Sequence, residues 1–193
     1  MTISGKSKSR IGSLARSANM IRKMSMRDPE FHKSELYHYE MLATYFKRLE
    51  EAEANGSAIA AHTVFFPIEL LYAMDIVPLH GETATLVANM FLRNSTEALN
   101  AGAELKMAPE ICSPHRSFAG CFKLGLFPKP DMMLWSNLIC DNSAKCGELI
   151  ADMNKCPQFF LDHPFSLSQE EEKYLLNEME DLVGFLEEVT GRK

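Results

Sequence analysis

The sequence predicts an α/β fold in which helices flank a mostly parallel, Rossmann-like sheet. From residue 58 onward, short apolar runs alternate with helical patterns, and this order joins parallel strands by helical crossovers. One run, Met132 to Trp135, is continuously apolar and bounded by turn residues, which is typical of a strand buried on both faces. Three or four strands can be recognised, so the expected sheet is small.

The chain before residue 58 is predicted to be helical. Apolar side chains recur at helical spacing over residues 11–26 and again over residues 34–54. Gly56 is placed to end the second helix as its C-cap. Residues 1–11, which are basic among Ser and Gly, are expected to form a mobile arm.

This change of pattern divides the chain into an N-terminal helical region, residues 1–57, and an α/β domain, residues 58–193. Within the second unit, strands are predicted over residues 59–66, 76–79, 132–135 and 158–161. Helices are expected to begin near Pro67, Glu82, Phe91, Ser113, Asn142 and Gln169. The last of these follows a capping-box pattern at Ser168, and its predicted buried face is Tyr174, Leu175, Met179, Leu182, Phe185, Leu186 and Val189.

Composition excludes several classes of protein. The net charge of -6 argues against a nucleic-acid-binding surface. No run of 18 apolar residues and no apolar signal-peptide core occurs, so we expect a cytoplasmic protein without a membrane partner. Without a secretory signal, the five cysteines are better interpreted as reduced thiols or cluster ligands than as disulfides.

Two cysteines, Cys112 and Cys140, each lie where a loop enters a predicted helix. A thiol at a helix N-terminus faces unpaired backbone N–H groups, which favour the thiolate that metals require. The carboxyl ends of parallel strands meet at one edge, so the two thiols could converge there. Two thiolates do not complete a tetrahedral site, and a third ligand would be required. The alternative is that each cysteine only packs in its loop.

Other candidate side chains are acids and imidazoles. Glu69 lies in the first turn of a helix, either complementing the helix dipole or acting as an acid or base at a crevice. His62 and His80 are interpreted as structural, since neither has a partner at ligand spacing. His115, the imidazole nearest Cys112, has no visible orienting acid, which argues against a thiol-nucleophile enzyme.

Four segments resemble the 2-hydroxyacyl-CoA dehydratase / benzoyl-CoA reductase family. They are FFPIELLYAMDIVP at residues 65–78, ICS at 111–113, LICD at 138–141 and LEEVTGRK at 186–193. The resemblance covers about residues 35–193, and the order and spacing of the segments make it fairly specific.

The resemblance implies an oxygen-sensitive, anaerobic type of enzyme. In that family each subunit has two α/β domains, and three cysteines hold a [4Fe–4S] cluster with an open fourth site. An ATP-dependent activator protein supplies one electron, and a CoA thioester becomes a ketyl radical that expels a hydroxyl group, or an aromatic ring is reduced. By position, Cys112 and Cys140 match cluster ligands, and Glu69 matches the acid of the first segment.

The sequence departs from the family because the second α/β domain, which would supply the third cysteine, is missing. We therefore expect a truncated or split half that works with a second subunit or C-terminal half. Cys146 is the nearest substitute ligand, and its Cys-x5-Cys spacing from Cys140 also fits the double-cubane relatives. Because the two are six residues apart, they would lie on different faces of one helix. The alternative function is a cluster-free interaction or scaffold subunit that retains the fold. A flavodoxin-like binder is disfavoured because no phosphate-binding loop is present.

Overall fold

A computed structural model describes residues 5–166 and 168–192 of the chain. The helices are α1 (Gly5–Ser25), α2 (Lys33–Asn55), α3 (Ile68–Ala73), α4 (Gly81–Leu92), α5 (Ser95–Glu104), α6 (Ser113–Lys123), α7 (Asn142–Asn154) and α8 (Gln169–Thr190). The strands are β1 (Ile59–His62), β2 (Val77–His80), β3 (Met132–Ser136) and β4 (Gln158–Leu161).

The four strands form one sheet in the order β2-β1-β3-β4, and every neighbouring pair is parallel. Each strand is followed by a helix, as crossover connections between parallel strands require. The predicted α/β class, with a Rossmann-like parallel sheet and an N-terminal helical segment, is confirmed. All four strands therefore end at the same edge of the sheet.

Both faces of the sheet are covered, which explains the continuous apolar run of β3. Met133 and Trp135 belong to a core shared with α1, α2, α4, α6 and α7. Met132 and Leu134 belong to a second core, shared with α3 and α8. Because side chains alternate along a strand, a strand between two layers of helices is apolar at every position, as predicted.

The N-terminal helices pack into the first of these cores. Ile11 and Leu14 of α1 and Phe46 of α2 are buried there, and α2 ends at Gly56 with φ 67°, as predicted. The first helix begins at Gly5 rather than near residue 11, so residues 5–11 of the predicted arm are helical. Its first four residues lie outside the described part of the chain. The division at residue 57 remains a prediction.

Two boundaries differ from the sequence-based expectation. β1 ends at His62 rather than residue 66, since Phe65 adopts a left-handed conformation with φ 60° and the chain turns into α3. Pro67, where α3 was expected to begin, is the N-cap of that helix. The N-cap of α6 is Cys112.

The final helix begins as predicted and buries a narrower face than expected. Ser168 and Glu171 form the capping box. Leu182 and Leu186 are fully buried, whereas Tyr174 is 42% exposed, so its predicted burial is wrong. The Tyr174 hydroxyl donates a hydrogen bond to Asp162 at 2.8 Å, which holds the ring at the surface.

Candidate functional site

The predicted ligand cysteines both lie at the helix entries beyond the carboxyl edge of the sheet. Cys112 is the exposed N-cap of α6, and its carbonyl accepts a hydrogen bond from the Arg116 N–H at 3.1 Å. Cys140 is partly exposed and lies two residues before α7, where its carbonyl accepts from the Ser143 N–H at 3.0 Å. Both thiols therefore stand beside unpaired N–H groups at a helix start, as the sequence predicted.

Cys146, the proposed substitute ligand, is buried in α7. Its Sγ donates a hydrogen bond to the His115 carbonyl at 3.4 Å. Burial raises the pKa of the Cys146 thiol far above its usual range, and the neighbouring Glu82, Cys112 and Cys140 raise it further. The thiols of Cys112 and Cys140 thus lie within electrostatic range of the same buried sulfur. Cys146 itself is held as a buried thiol.

Over residues 5–166 and 168–192, no three His, Cys, Asp or Glu side chains are grouped so that they could hold a metal ion. The two accessible thiols are therefore a partial donor set. Thiolates are the ligands that iron–sulfur clusters require, so Cys112 and Cys140 fit two of the ligand positions. The remaining ligand would come from another source.

A buried acid–imidazole pair lies beside these cysteines. Glu82, in the first turn of α4, accepts a hydrogen bond from His115 Nε2 at 2.8 Å, and the two side chains are 15% and 3% exposed. The Val64 N–H also donates to Glu82 Oε1 at 3.3 Å. Burial alone raises the pKa of Glu82, but hydrogen bonds from His115 and from backbone N–H groups outweigh it and leave the pKa below its usual value. Glu82 is therefore an ionised acceptor.

Two further imidazoles extend this pair. The rings of His62 and His80 meet edge to face with centroids 4.9 Å apart. His80 Nδ1 accepts from the Thr83 N–H at 3.2 Å and lies 3.6 Å from Glu82 Oε2. The statement that His115 lacks an orienting acid is therefore wrong, and His62 and His80 have partners that their spacing did not reveal.

The pairing of Glu82 with His115 was not predicted from the sequence, although the positions of the two residues in the chain could have indicated that both lie at this edge. Glu82 lies two residues after β2 ends, and His115 lies three residues after Cys112. Residues just after a parallel strand, or at the start of a helix that leads to the next parallel strand, lie at the carboxyl edge of the sheet. Both residues meet this condition, as the two cysteines do. Glu69 is exposed in the first turn of α3, and its role remains a prediction.

Buried hydroxyl groups mark the same edge. Thr63 follows β1, Ser136 ends β3 and Ser143 lies in the first turn of α7. All three are at most 2% exposed, and their oxygens have no hydrogen-bond partner within the described ranges. Native proteins pair nearly all buried polar groups, so these three oxygens are available to a polar group or water at this edge.

We expect the protein to lose stability as the pH falls from 6.5 toward about 4. Burial, and then the neighbouring His80, lower the pKa of His62 from 6.5 to about 4. As the pH falls, His62 of the unfolded chain therefore takes up a proton before His62 of the folded protein does. The free energy of unfolding is highest above pH 6.5 and decreases progressively down to about pH 4, by up to ~3 kcal/mol. Urea unfolding across this range measures the loss.

The matched variants for this titration are His62→Phe and His32→Phe. His62→Phe keeps an aromatic ring against His80 and should flatten the pH dependence. His32→Phe, at an exposed position before α2, should leave it unchanged. An identical slope in wild type and His62→Phe would show that another group controls the acid sensitivity.

A small parallel sheet with two helix-entry thiols and a buried acid at its carboxyl edge defines the class of an α/β domain whose polar and thiol groups gather at one edge of the sheet. Residues 63–193 match the sequence profile of the 2-hydroxyglutaryl-CoA dehydratase D-component family. The match covers well over half of the chain, so the chain belongs to this family.

A curated relative extends the match toward the N-terminus. The alpha subunit of (R)-phenyllactyl-CoA dehydratase from Clostridium sporogenes is 27% identical over 183 aligned residues, which cover 88% of this chain and 44% of the relative. The chain thus spans less than half the length of that protein. None of the helices in the described ranges is both long and apolar enough to cross a membrane.

Proposed function

We propose that this chain is the cluster-binding half of a 2-hydroxyacyl-CoA dehydratase component that holds part of a [4Fe–4S] cluster and binds a CoA thioester. The observation that supports the proposal is that Cys112 and Cys140 are both accessible and both lie at helix starts beyond the carboxyl edge of the sheet. Family membership supports the thioester class. The bound cluster would supply a low-potential electron and an iron that acts as a Lewis acid toward a carbonyl oxygen.

The proposed ligands of this chain are Cys112 and Cys140. Both are accessible, and both stand at the start of a helix. Cys146 is less suited, because it is fully buried and its thiol donates a hydrogen bond to the His115 carbonyl. We therefore infer that the third ligand comes from a second subunit or C-terminal half.

The acidic residues of the edge would handle protons. Glu82 is ionised and holds the Nε2 proton of His115, so it fixes the imidazole beside the thiols. His115 Nδ1 is buried and has no partner within the described ranges, which leaves it available to a group bound at the edge. Glu69 is exposed near the same edge and is proposed as a second proton-transfer acid.

Exposed apolar side chains around the site support a partner. Leu138 and Ile139, beside Cys140, are 48% and 64% exposed, and Phe165, in the loop after β4, is 93% exposed. Large apolar groups gathered at a functional edge are typical of an interface. The proposed assembly comprises this chain, a second subunit or C-terminal half, and an ATP-dependent activator protein, in the cytoplasm of an anaerobic cell.

A second candidate is a cluster-free interaction or scaffold subunit that retains the fold. The observation that favours it is that no three-ligand group occurs across the described residues. In that case the carboxyl edge would be only a docking surface.

Iron and sulfide analysis of anaerobically prepared protein, purified with its natural partner chain, separates the two functions. Wild type should be brown and contain iron and acid-labile sulfide, and Cys112→Ser or Cys140→Ser should lose most of both. Cys121→Ser, a change in the buried core of α6, is the matched control and should retain them. Cys146→Ser should also retain them. Colourless, iron-free wild type in the presence of its partner would support the scaffold.

A further inference from the structure

A cavity that the proposed function does not use lies between α2, α3 and the outer strand β2. Its volume is about 450 Å³, within the range of small-molecule pockets. Its walls are mainly apolar and include Met41, Ile68, Tyr72 and Pro78. Tyr72 and Met41 are 45% and 65% exposed, so they flank the open side.

His62 provides a hydrogen-bond acceptor in this cavity. The side chain lines the cavity and is 1% exposed. Its Nδ1 lies 2.9 Å from the Thr63 carbonyl, which only accepts, so the ring proton is on Nδ1. The ring is neutral at pH 7 because burial lowers the pKa of His62 to about 4. Nε2 therefore carries a lone pair, and this buried atom has no partner within the described part of the chain.

Two donors accompany this acceptor. Tyr45 and His80 both line the cavity. The Tyr45 oxygen accepts from the His80 N–H at 2.9 Å, so its own hydroxyl hydrogen remains to be donated. His80 Nδ1 accepts from the Thr83 N–H, which places the proton of the neutral ring on Nε2. The inner end of the cavity can both accept a hydrogen bond from a ligand hydroxyl and donate one to it.

A cation lies at the exposed rim of the cavity. Arg48 is exposed, lines the cavity and holds its guanidinium 5.3 Å from the centroid of the Tyr72 ring. This contact places the positive charge over an aromatic wall at the solvent side. Because His62 is buried and Arg48 is exposed, a molecule that reaches both would have its hydroxyl at the inner end and its carboxylate at the solvent side.

We propose that this cavity binds a phenolic acid, a small aromatic molecule with a hydroxyl group and a carboxylate at opposite ends. The hydroxyl donates to His62 Nε2, the ring packs among Met41, Tyr72 and Pro78, and the carboxylate lies against Arg48. This separation of the two groups differs from that in a 2-hydroxyacyl group, where they are adjacent. The inference does not depend on the cluster or on the cysteines.

The proposal is tested by titrating the full chain with three probes and measuring their affinities by NMR or calorimetry. 4-Hydroxyphenylacetate should bind about 10-fold more tightly than phenylacetate, because only the former pairs with His62 Nε2. His62→Phe should abolish this preference. Arg48→Gln should lower the affinity for 4-hydroxyphenylacetate about 3-fold. It should leave the affinity for 4-ethylphenol unchanged, since that probe has no carboxylate.

Lys47→Gln is the matched control for Arg48→Gln, because Lys47 is exposed on the same helix and does not line the cavity. It should bind all three probes as wild type does. Equal affinities of wild type for 4-hydroxyphenylacetate and phenylacetate, or no saturable binding of either, would overturn the proposal. This comparison uses wild type alone, so it decides the question even if His62→Phe does not fold.

Discussion

Gly120→Ala is expected to destabilise the protein by about 3 kcal/mol. Gly120 is buried in α6, where a Cβ atom would collide with the Ala98 carbonyl oxygen of α5 and approach the Gly102 nitrogen at 3.0 Å. These are backbone atoms, which cannot rotate away as a side chain does. The two helices would have to separate, and overpacking of this kind costs about 1–3 kcal/mol or more. Urea or thermal unfolding measures the change.

The matched control is Gly184→Ala in α8. Gly184 is exposed, and a Cβ atom there would meet nothing within 4 Å. Alanine should therefore stabilise α8 by up to ~1 kcal/mol through its higher helix propensity. Wild-type stability of Gly120→Ala would show that α5 and α6 are not in close contact.

Glu82→Ala is expected to destabilise the protein by about 3 kcal/mol at neutral pH. The change removes the acceptor for His115 Nε2 and for the Val64 N–H, and both donors are in a region with little solvent. A buried donor left without a partner loses its solvation without compensation, which costs about 1–3 kcal/mol, and more when the lost partner is charged. Chemical denaturation at neutral pH checks the magnitude.

Glu104→Ala is the matched surface control. Glu104 accepts a hydrogen bond from Lys123 at 2.6 Å, but its side chain is 69% exposed. Surface ion pairs contribute about 0–1 kcal/mol, so this variant should remain close to wild type. Equal losses in the two variants would mean that burial does not strengthen the Glu82 pair.

The contribution of Glu82 should also depend on pH in a defined direction. Its pKa in the folded protein lies below the ordinary value of 4.5, since hydrogen bonds to the carboxylate outweigh burial. The stabilisation is therefore complete above about pH 4.5 and decreases as the pH falls through the folded-state pKa. The difference in stability between wild type and Glu82→Ala should shrink in acid. A difference that stays constant from neutral to acidic pH would contradict this assignment.

Features that depend on residues close in sequence were predicted well. β4 was placed at residues 158–161, as observed, and the capping box of α8 was identified from Ser168 onward. The thiol positions at the starts of α6 and α7 followed from turn residues and helical periodicity. These patterns repeat within a few residues, so a single chain reveals them.

The sequence by itself determined the α/β class, the order of the elements and the helix-entry positions of Cys112 and Cys140. Only the tertiary structure decided which side chains meet. The parallel register pairs His62 with His80 across β1 and β2, and the packing of α4 against α6 brings Glu82 to His115, 33 residues away. Partners so far apart depend on strand register and helix packing, which arise from the burial of the whole core and leave no local pattern.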